Sequence, residues 1–215
     1  MKNVRLALVG VGNVGRRLLE LISERKNWLR RDYELEFSVH CVVDSSGVAV
    51  NERGFDVAAL AEYKQRGAAL ADLPEYRNDE SLADALDDAP CDILIEASPL
   101  NLESGDPGLA NSRTALQRRM HLVLANKSPL ALAHAELLKL AEANDVGMLY
   151  SATFCGGLPV LNIIRRDMVC GKVLRFRGIF NGTTNFILQE MLDGHAYGRA
   201  LRQAREIGAA EADSS

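Results

Sequence analysis

The stretch Gly10-Val11-Gly12-Asn13-Val14-Gly15 decides the fold of this 215-residue chain. The apolar run Val4–Val9 comes directly before it, and apolar residues at helical spacing follow from residue 13 to residue 25. Glycines in this pattern allow a tight turn, close approach to a pyrophosphate, and close packing of helix on strand. The stretch therefore predicts a dinucleotide-binding turn between a buried strand and a helix. A purely structural glycine turn is the alternative.

The rest of the first 150 residues continues the same rhythm. Buried strands are predicted at 34–43, 92–97, 121–125 and 146–150, and helices at 56–66, 81–87, 111–119 and 130–143. The polar, basic residues 24–32 are interpreted as an extended loop or a helix end. Strands that alternate with helices form parallel sheets with crossover helices. We therefore predict a Rossmann-type, doubly wound α/β domain over residues 1–150.

The regular alternation of predicted strands and helices changes after residue 150. A helix is predicted at Pro159–Met168 and a strand at Val173–Phe180, with Arg175 and Arg177 on one face of that strand. Two further helices are predicted at 183–192 and 197–207. We interpret residues 151–215 as an incomplete α+β domain for substrate binding and dimerisation.

Composition excludes several classes of protein. The chain is 47% hydrophobic with a net charge of −4, so it can build a core and lacks the basic excess of nucleic-acid-binding proteins. No stretch reaches the roughly 18 apolar residues of a membrane helix, and the N-terminus lacks the features of a signal peptide. The four cysteines fit no zinc spacing. We therefore expect reduced thiols in a cytoplasmic protein, without membrane or nucleic-acid partners.

Asp44, at the end of the second predicted strand, is the candidate acid for the cofactor ribose. It lies further from the glycines than the usual spacing of about 20 residues. A carboxylate there favours NAD, because it would repel the 2′-phosphate of NADP. Alternatively, Ser45 and Ser46 receive that part of the cofactor, or Asp44 only caps the turn that ends at Gly47.

Two other predicted strands also end in polar residues. Ser98 follows one strand, where its side chain can hydrogen-bond a nicotinamide carboxamide. Lys127 follows the next, where an ammonium group can neutralise a developing alkoxide or relay a proton. Open α/β sheets bind their ligands at this edge. A solvated surface lysine is the alternative interpretation of Lys127.

Two segments of the second half carry small polar groups and glycines. In the segment 181–186, Asn181 or Thr183 can cap the following helix, whose N-terminus would suit a carboxylate. In the segment 151–159, backbone carbonyls can hold a cation or only form a turn.

Taken in order, these motifs resemble the homoserine dehydrogenase family. The matching segments are Gly10–Gly15, Ala125-Asn126-Lys127-Ser128-Pro129-Leu130, Gly156-Gly157-Leu158-Pro159, Gly178–Asn185 and Ala210-Glu211-Ala212-Asp213. The resemblance covers essentially the whole chain, and the Asn-Lys and Asn-Gly-Thr-Thr-Asn segments are its most specific parts. It implies interconversion of aspartate 4-semialdehyde and homoserine with NAD or NADP, in threonine and methionine biosynthesis.

The resemblance also implies roles for individual residues. It assigns the pyrophosphate to the glycine loop (Gly10, Gly12, Asn13, Val14 and Gly15), the nicotinamide end to Ser98, and the junction of cofactor and substrate to Lys127. Gly182 and Thr183 would line the substrate pocket, and Glu211 would bind the substrate amino group. A homodimer built through the second half is implied as well.

Two departures from the family pattern bear on these expectations. Ser151 stands where the family often has a glutamate of a monovalent-cation site, leaving the carbonyls of Phe154, Gly156 and Leu158. The sequence stops at Ser215, before a family segment with an aspartate and a proton-transferring lysine. We therefore expect a short family member with intact cofactor binding and impaired catalysis. The alternatives are another NAD(P)-dependent amino-acid or semialdehyde dehydrogenase, and a non-catalytic nucleotide-binding subunit completed by a second chain.

Overall fold

The computed structural model describes residues 1–154, 158–168, 170–175, 177–179 and 181–207. Packing divides the chain into two compact units, residues 1–153 and residues 154–215. Each unit is described by itself below.

The first unit is built on a seven-stranded sheet. Its strands are β1 (Lys2–Val9), β2 (Leu35–Asp44), β3 (Gly47–Val50), β4 (Tyr76–Arg77), β5 (Ile93–Glu96), β6 (His121–Leu124) and β7 (Met148–Leu149). The strand order is β4-β3-β2-β1-β5-β6-β7. The five strands β2, β1, β5, β6 and β7 pair in parallel, whereas β3 pairs antiparallel with both β2 and β4. The predicted doubly wound parallel sheet is therefore confirmed, with an antiparallel edge added to it.

Five α-helices belong to this unit in the described chain. They are α1 (Asn13–Tyr33), α2 (Val57–Gln65), α3 (Leu82–Asp88), α4 (Gly108–Gln117) and α5 (Ser128–Ala143), with short 3-10 turns at Leu70–Asp72 and Ser151–Thr153. Leu8, Leu94 and Leu122, on the adjacent interior strands β1, β5 and β6, are all at most 1% exposed. Such burial explains why these strands read as short continuous apolar runs.

Helix α1 is longer than its apolar pattern, which ends at residue 25. The helix continues to Tyr33, so the helix-end interpretation of residues 24–32 is correct and the loop interpretation is wrong. Good helix formers fill this end of the helix, and Arg17 pairs with both Glu20 and Glu24 at 2.8 Å. Lys26 and Arg30 both pair with Glu36 of β2, which fastens this end of the helix to the sheet.

The turn after β2 leads into strands β3 and β4, which the sequence analysis did not predict. Gly47 has a φ of +131°, and a Cβ there would lie 2.8 Å from the Tyr76 ring. Val48, Ala49 and Val50 are each at most 4% exposed. A four-residue strand beside a turn gives too short a pattern to distinguish from loop.

The regular secondary structure described in the second unit is helical. A single α-helical turn at Val160–Asn162 (α6) continues as a π-helical turn at Ile163–Asp167, and α7 (Gly182–Leu192) and α8 (Tyr197–Glu206) follow. These elements confirm the three predicted helices. Ile187, Ala200 and Ala204 form the buried contact between α7 and α8.

The strand predicted at Val173–Phe180 is wrong for the described part of that segment. Residues 173–175 and 177–179 have no strand structure, and Phe176 and Phe180 lie outside the described residues. A strand requires a hydrogen-bonded neighbour, and no described residue beyond 153 belongs to one. Alternating apolar and basic residues here give the pattern of a strand without a partner for it.

The described cysteines and helices bear on the expected class of protein. Cys41, Cys91 and Cys170 are free thiols, and burial raises the pKa of Cys41 and of Cys91 to about 12. The thiols of Cys41 and Cys91 therefore stay protonated and behave as small apolar groups. Among the helices of the described chain, none has both the length and the apolar character needed to cross a bilayer.

Candidate functional site

The loop of residues 10–12 joins β1 to α1 at the point where the strand order reverses. The chain runs from β1 to β2 on one side and later returns to β5 on the other. Gly10 has a φ of +89°, and a Cβ there would lie 2.3 Å from the Ala97 carbonyl oxygen. A Cβ on Gly15 would lie 2.0 Å from the Gly10 carbonyl oxygen. These two glycines are therefore required by the fold itself, for a left-handed turn and for close packing of helix on loop.

Gly12 differs from its neighbours, because a Cβ at this position would meet no protein atom within 4 Å. It is the N-cap of α1, with no side chain capping the first helical N–H groups, and Asn13 and Val14 beside it are exposed. Unpaired N–H groups at a helix N-terminus attract anions. This open position fits a phosphate group of a dinucleotide.

Asp44 ends β2 next to the glycine loop, since the Gly10 N–H donates to the neighbouring Val43 carbonyl at 2.8 Å. Its Oδ1 accepts from the Ser46 backbone N–H at 2.7 Å and from the Ser46 hydroxyl at 2.6 Å, and its Oδ2 accepts from Lys64 at 2.6 Å. Burial alone would raise the pKa of Asp44, but the bonds from Lys64 and Ser46 outweigh it and hold that pKa below its ordinary value.

The carboxylate of Asp44 can thus stabilise the turn and still bind a ligand. It caps the turn through Ser46, as the alternative interpretation expected. A carboxylate has about four lone-pair directions, so three bonds leave one for a ribose hydroxyl. The charge on Lys64 also neutralises Asp44, which weakens the repulsion of a 2′-phosphate that the sequence alone suggested.

Lys64→Met should lower the free energy of unfolding of the first unit by about 2 kcal/mol at pH 7, because it leaves a largely buried carboxylate without its cation. The two side chains are only 11% and 13% exposed in the native protein. Because the folded-state pKa of Asp44 is depressed, its contribution is present above the unfolded value of about 3.9 and is lost as pH falls through the folded value. The difference between variant and native chain should therefore shrink below about pH 4.

Urea unfolding followed by the fluorescence of Trp28, the one tryptophan of the chain, measures this difference at pH 7 and pH 3. Lys139→Met, an exposed lysine on α5, is the control. Equal stability of Lys64→Met and native chain at pH 7 would contradict the prediction.

Ser98 follows the end of β5 and belongs to a buried hydrogen-bond network. Its backbone N–H donates to Glu96 Oε1 at 2.8 Å, and its hydroxyl also donates to Glu96 Oε1. Asn126 Nδ2 donates to the Ser98 hydroxyl at 3.2 Å and to the Pro99 carbonyl at 3.2 Å. The network joins the loops after β5 and β6, and a Cβ on Gly10 would lie 2.6 Å from the Ser98 nitrogen. The glycine loop, Ser98 and Asn126 therefore lie together at one edge of the sheet.

Lys127 stands between two anchored residues at the start of α5. Asn126 Oδ1 accepts the Ser128 N–H at 2.9 Å, and Ser128 Oγ accepts the Asn101 N–H at 2.8 Å. Asn126 is 5% exposed and Ser128 is fully buried, whereas Lys127 itself is exposed. No side chain of the described chain forms an ion pair with Lys127. Its neighbours thus hold the backbone of Lys127 at the sheet edge, and its exposed side chain is available to a ligand.

The candidate residues of the second unit are only partly described. Asn181 Oδ1 accepts the Thr184 N–H at 2.9 Å, so Asn181 rather than Thr183 is the N-cap of α7. Gly182 is exposed and Thr183 is half-buried. Glu211 lies outside the described residues.

The backbone carbonyls expected to bind a monovalent cation belong to the segment after Tyr150. Phe154 and Leu158 are described and exposed, but Gly156 lies outside the described residues. Within the described chain, no cluster of three histidine, cysteine or acidic side chains could hold a metal. No metal site is therefore assigned.

The sequence analysis assigned no individual role to four residues of this edge: Glu96, Asn111, Asn126 and Lys64. Glu96 ends an otherwise apolar strand and is fully buried, and a buried acid at a strand end is the signal that could have singled it out. Asn111 donates to Glu96 Oε2 at 3.1 Å from helix α4. Asn111 and Lys64 lie on helices whose neighbours are set by tertiary packing, so no local pattern indicates them.

Two family models match parts of this chain. The model for homoserine dehydrogenase matches residues 159–215, and the model for glutamate/leucine/phenylalanine/valine dehydrogenase matches residues 1–101. The second match covers the glycine loop, Asp44 and Ser98. Both models describe dehydrogenases.

Complete homoserine dehydrogenases match both halves together. The enzyme of Methanocaldococcus jannaschii is 34% identical over 97% of this chain, and an NAD(+)-dependent homoserine dehydrogenase of Pseudomonas canavaninivorans is 36% identical over 99%. A hyperthermophilic archaeal homoserine dehydrogenase solved with NADPH superposes with a TM-score of 0.83 and 27% identity, over 99% of this chain. The chain spans 62%, 61% and 63% of these three proteins. Homoserine dehydrogenases are therefore similar to the whole chain in both sequence and fold.

Proposed function

We propose that this chain is the cofactor-binding part, and the beginning of the substrate-binding part, of an NAD(P)-dependent homoserine dehydrogenase. The reaction interconverts aspartate 4-semialdehyde and homoserine. Residues 1–150 would form the dinucleotide-binding domain, and residues 151–215 would belong to the substrate and dimerisation domain. The open backbone at Gly12, in the loop whose Gly10 packs against Ser98 at the reversal point of the sheet, is the observation that carries the proposal.

The glycine loop would bind the pyrophosphate through the N-terminus of α1, with Gly12, Asn13 and Val14 facing the phosphates. Asp44 would accept one ribose hydroxyl, and Ser98 would contact the nicotinamide carboxamide. Both NAD and NADP are supported, since one relative is named NAD(+)-dependent and another was solved with NADPH. The pairing of Asp44 with Lys64 is consistent with either cofactor.

Lys127 would act at the junction of cofactor and substrate. When bound, the nicotinamide supplies the hydride. Lys127 would stabilise the negative charge that develops on the carbonyl oxygen of the substrate, or relay a proton to it. Gly182, Thr183 and Glu211 would bind the substrate, with Glu211 on its amino group.

Assembly and location complete the proposal. A homodimer built through the second half follows from the family resemblance. A cytoplasmic location agrees with the free thiols of Cys41, Cys91 and Cys170.

Titration of the purified chain with NADH and NADPH, followed by cofactor fluorescence, tests the proposal. We expect saturable binding of at least one of the two. ADP-ribose, which lacks the nicotinamide, should compete. Absence of saturable binding for both cofactors and for ADP-ribose would contradict the proposed function. If the cofactor binds, the affinities of the cofactor-bound chain for homoserine and for other amino acids are then compared. Preferential binding of homoserine distinguishes this family from other amino-acid dehydrogenases.

Lys127→Met should change the relative affinity for oxidised and reduced cofactor. An ammonium group near the nicotinamide repels the cationic ring of NAD⁺ but not the neutral ring of NADH. Two charges a few ångströms apart in a partly hydrated site interact by roughly 1 kcal/mol, so the ratio of Kd for NAD⁺ to Kd for NADH should fall about fivefold. Isothermal titration with each cofactor measures this ratio. Lys139→Met, on the same helix, should leave it unchanged, and an unchanged ratio in Lys127→Met would remove Lys127 from the cofactor site.

A further inference from the structure

Glu96 is an ionisable side chain buried completely beneath the proposed cofactor site. It is 0% exposed, and it forms no ion pair with any side chain of the described chain. A buried carboxylate without a cation is costly, so its hydrogen bonds have to compensate. Its partners are the Ser98 N–H at 2.8 Å, the Ser98 hydroxyl, and Asn111 Nδ2 at 3.1 Å.

The backbone of Glu96 organises the neighbouring strand end as well. Its carbonyl oxygen accepts the Ala125 N–H at 2.9 Å and the Asn126 N–H at 3.1 Å. One residue therefore fixes the loop that carries Ser98 through its side chain, and the loop that leads to Lys127 through its main chain.

The donor and the acceptor of each hydrogen bond around Ser98 can be assigned from neighbouring backbone groups, which can only donate or only accept. The Ser128 N–H can only donate, so the Asn126 atom that faces it is the oxygen. The Asn126 NH₂ group therefore faces the Pro99 carbonyl and the Ser98 hydroxyl. Ser98 Oγ accepts that N–H bond, and its own proton goes to Glu96 Oε1, the oxygen that also accepts the Ser98 N–H.

A serine hydroxyl has one proton and two lone pairs. With the proton held by Glu96 and one lone pair held by Asn126, the half-buried Ser98 oxygen has one lone pair left for a ligand. Ser98 can therefore accept a hydrogen bond from a bound molecule but cannot donate one. Of the two polar ends of a carboxamide, the NH₂ group is the one that this oxygen recognises.

We propose that Glu96 is a positioning residue for the nicotinamide end of the cofactor: it holds the Ser98 proton, and Ser98 thereby selects the N–H of the carboxamide. This inference rests on the proposed function, since it requires a nicotinamide dinucleotide at this edge. A solely structural Glu96 would stabilise the two loops without any preference among ligands.

The experiment compares NADH with reduced 3-acetylpyridine adenine dinucleotide, whose acetyl group keeps the carbonyl oxygen but has no N–H. The native chain should bind NADH about five- to tenfold more tightly, the effect of one hydrogen bond. In Glu96→Leu, no side-chain oxygen holds the Ser98 proton, which can turn to a ligand carbonyl, so this ratio should fall to about one. ADP-ribose affinity should stay unchanged in the variant, because ADP-ribose lacks the ring.

Two further variants make the outcome decisive. Ser98→Ala removes the acceptor and should also bring the ratio to about one, even if Glu96→Leu does not fold. Ser112→Ala is the control, because the buried Ser112 hydroxyl donates to the Gly108 carbonyl at 2.6 Å on α4 but takes no part in the network. Its ratio should equal that of the native chain.

The possible failures are distinguishable. If the native chain binds neither ADP-ribose nor NADH, the proposed function itself is wrong. If it binds both but does not distinguish NADH from the acetyl analogue, Ser98 does not read the carboxamide N–H. If Glu96→Leu keeps the native ratio together with native ADP-ribose affinity, Glu96 is solely structural.

Discussion

Gly15→Ala should lower the free energy of unfolding of the first unit by about 3 kcal/mol and weaken cofactor binding with it. The added Cβ would lie 2.0 Å from the Gly10 carbonyl oxygen and 3.1 Å from its carbonyl carbon, both backbone atoms that no rotamer change can move aside. Alanine is the better helix former by about 1 kcal/mol, so the clash has to exceed that gain. The measurement is urea unfolding followed through Trp28, which lies on the same helix.

The matched control for this prediction lies three residues away. Gly12→Ala should leave the free energy of unfolding within about 0.5 kcal/mol of the native chain, because its Cβ meets no protein atom within 4 Å. Gly10→Ala should resemble Gly15→Ala, since its φ of +89° and a 2.3 Å approach to the Ala97 oxygen both oppose a side chain. Equal stability of the Gly15 and Gly12 variants would show that the helix does not pack on the loop as described.

These glycines show what sequence alone can predict here. The turn at Gly10 and the packing of Gly15 on Gly10 involve residues close together in the chain, so a local pattern contains them, although Gly10 also packs against Ala97. The alternation of strands and helices likewise indicates the parallel sheet, and with it the edge where Ser98 and Lys127 lie. Local patterns therefore sufficed for the parallel part of the sheet and for the edge at which Ser98 and Lys127 lie.

The details that the sequence did not predict depend on contacts between distant residues. The Ser98 proton is held by Glu96, but Asn126 and Asn111 reach the network from other elements. The Asp44 charge is paired with Lys64, twenty residues further along. The segment 173–180 alternates between apolar and basic residues as a strand does. A strand also requires a hydrogen-bonded neighbour, and a periodic sequence pattern does not show whether one is present. In each case the missing information is which groups meet across the fold.

Gly12→Ala should raise the Kd for NADH by about ten- to a hundredfold, although it leaves the fold intact. Gly12 has a φ of −76° and a ψ of −155°, which alanine adopts without strain. The protein also offers its Cβ open space. Neither conformation nor packing therefore requires glycine at this position. The remaining physical reason is close approach of a bound group to the backbone, and overpacking by one methyl group costs about 1–3 kcal/mol.

The control for this last prediction is Gly198→Ala, on α8 of the second unit. A Cβ there would lie 3.9 Å from Arg202 Nη1, an ordinary contact, so the Kd for NADH should not change. ADP-ribose should lose affinity in Gly12→Ala as much as NADH does, because both carry the pyrophosphate. A Gly12→Ala chain that binds both ligands like the native chain would place the pyrophosphate elsewhere. Equal loss for the two ligands, together with unchanged unfolding, would separate the pyrophosphate contact at Gly12 from the carboxamide contact at Ser98.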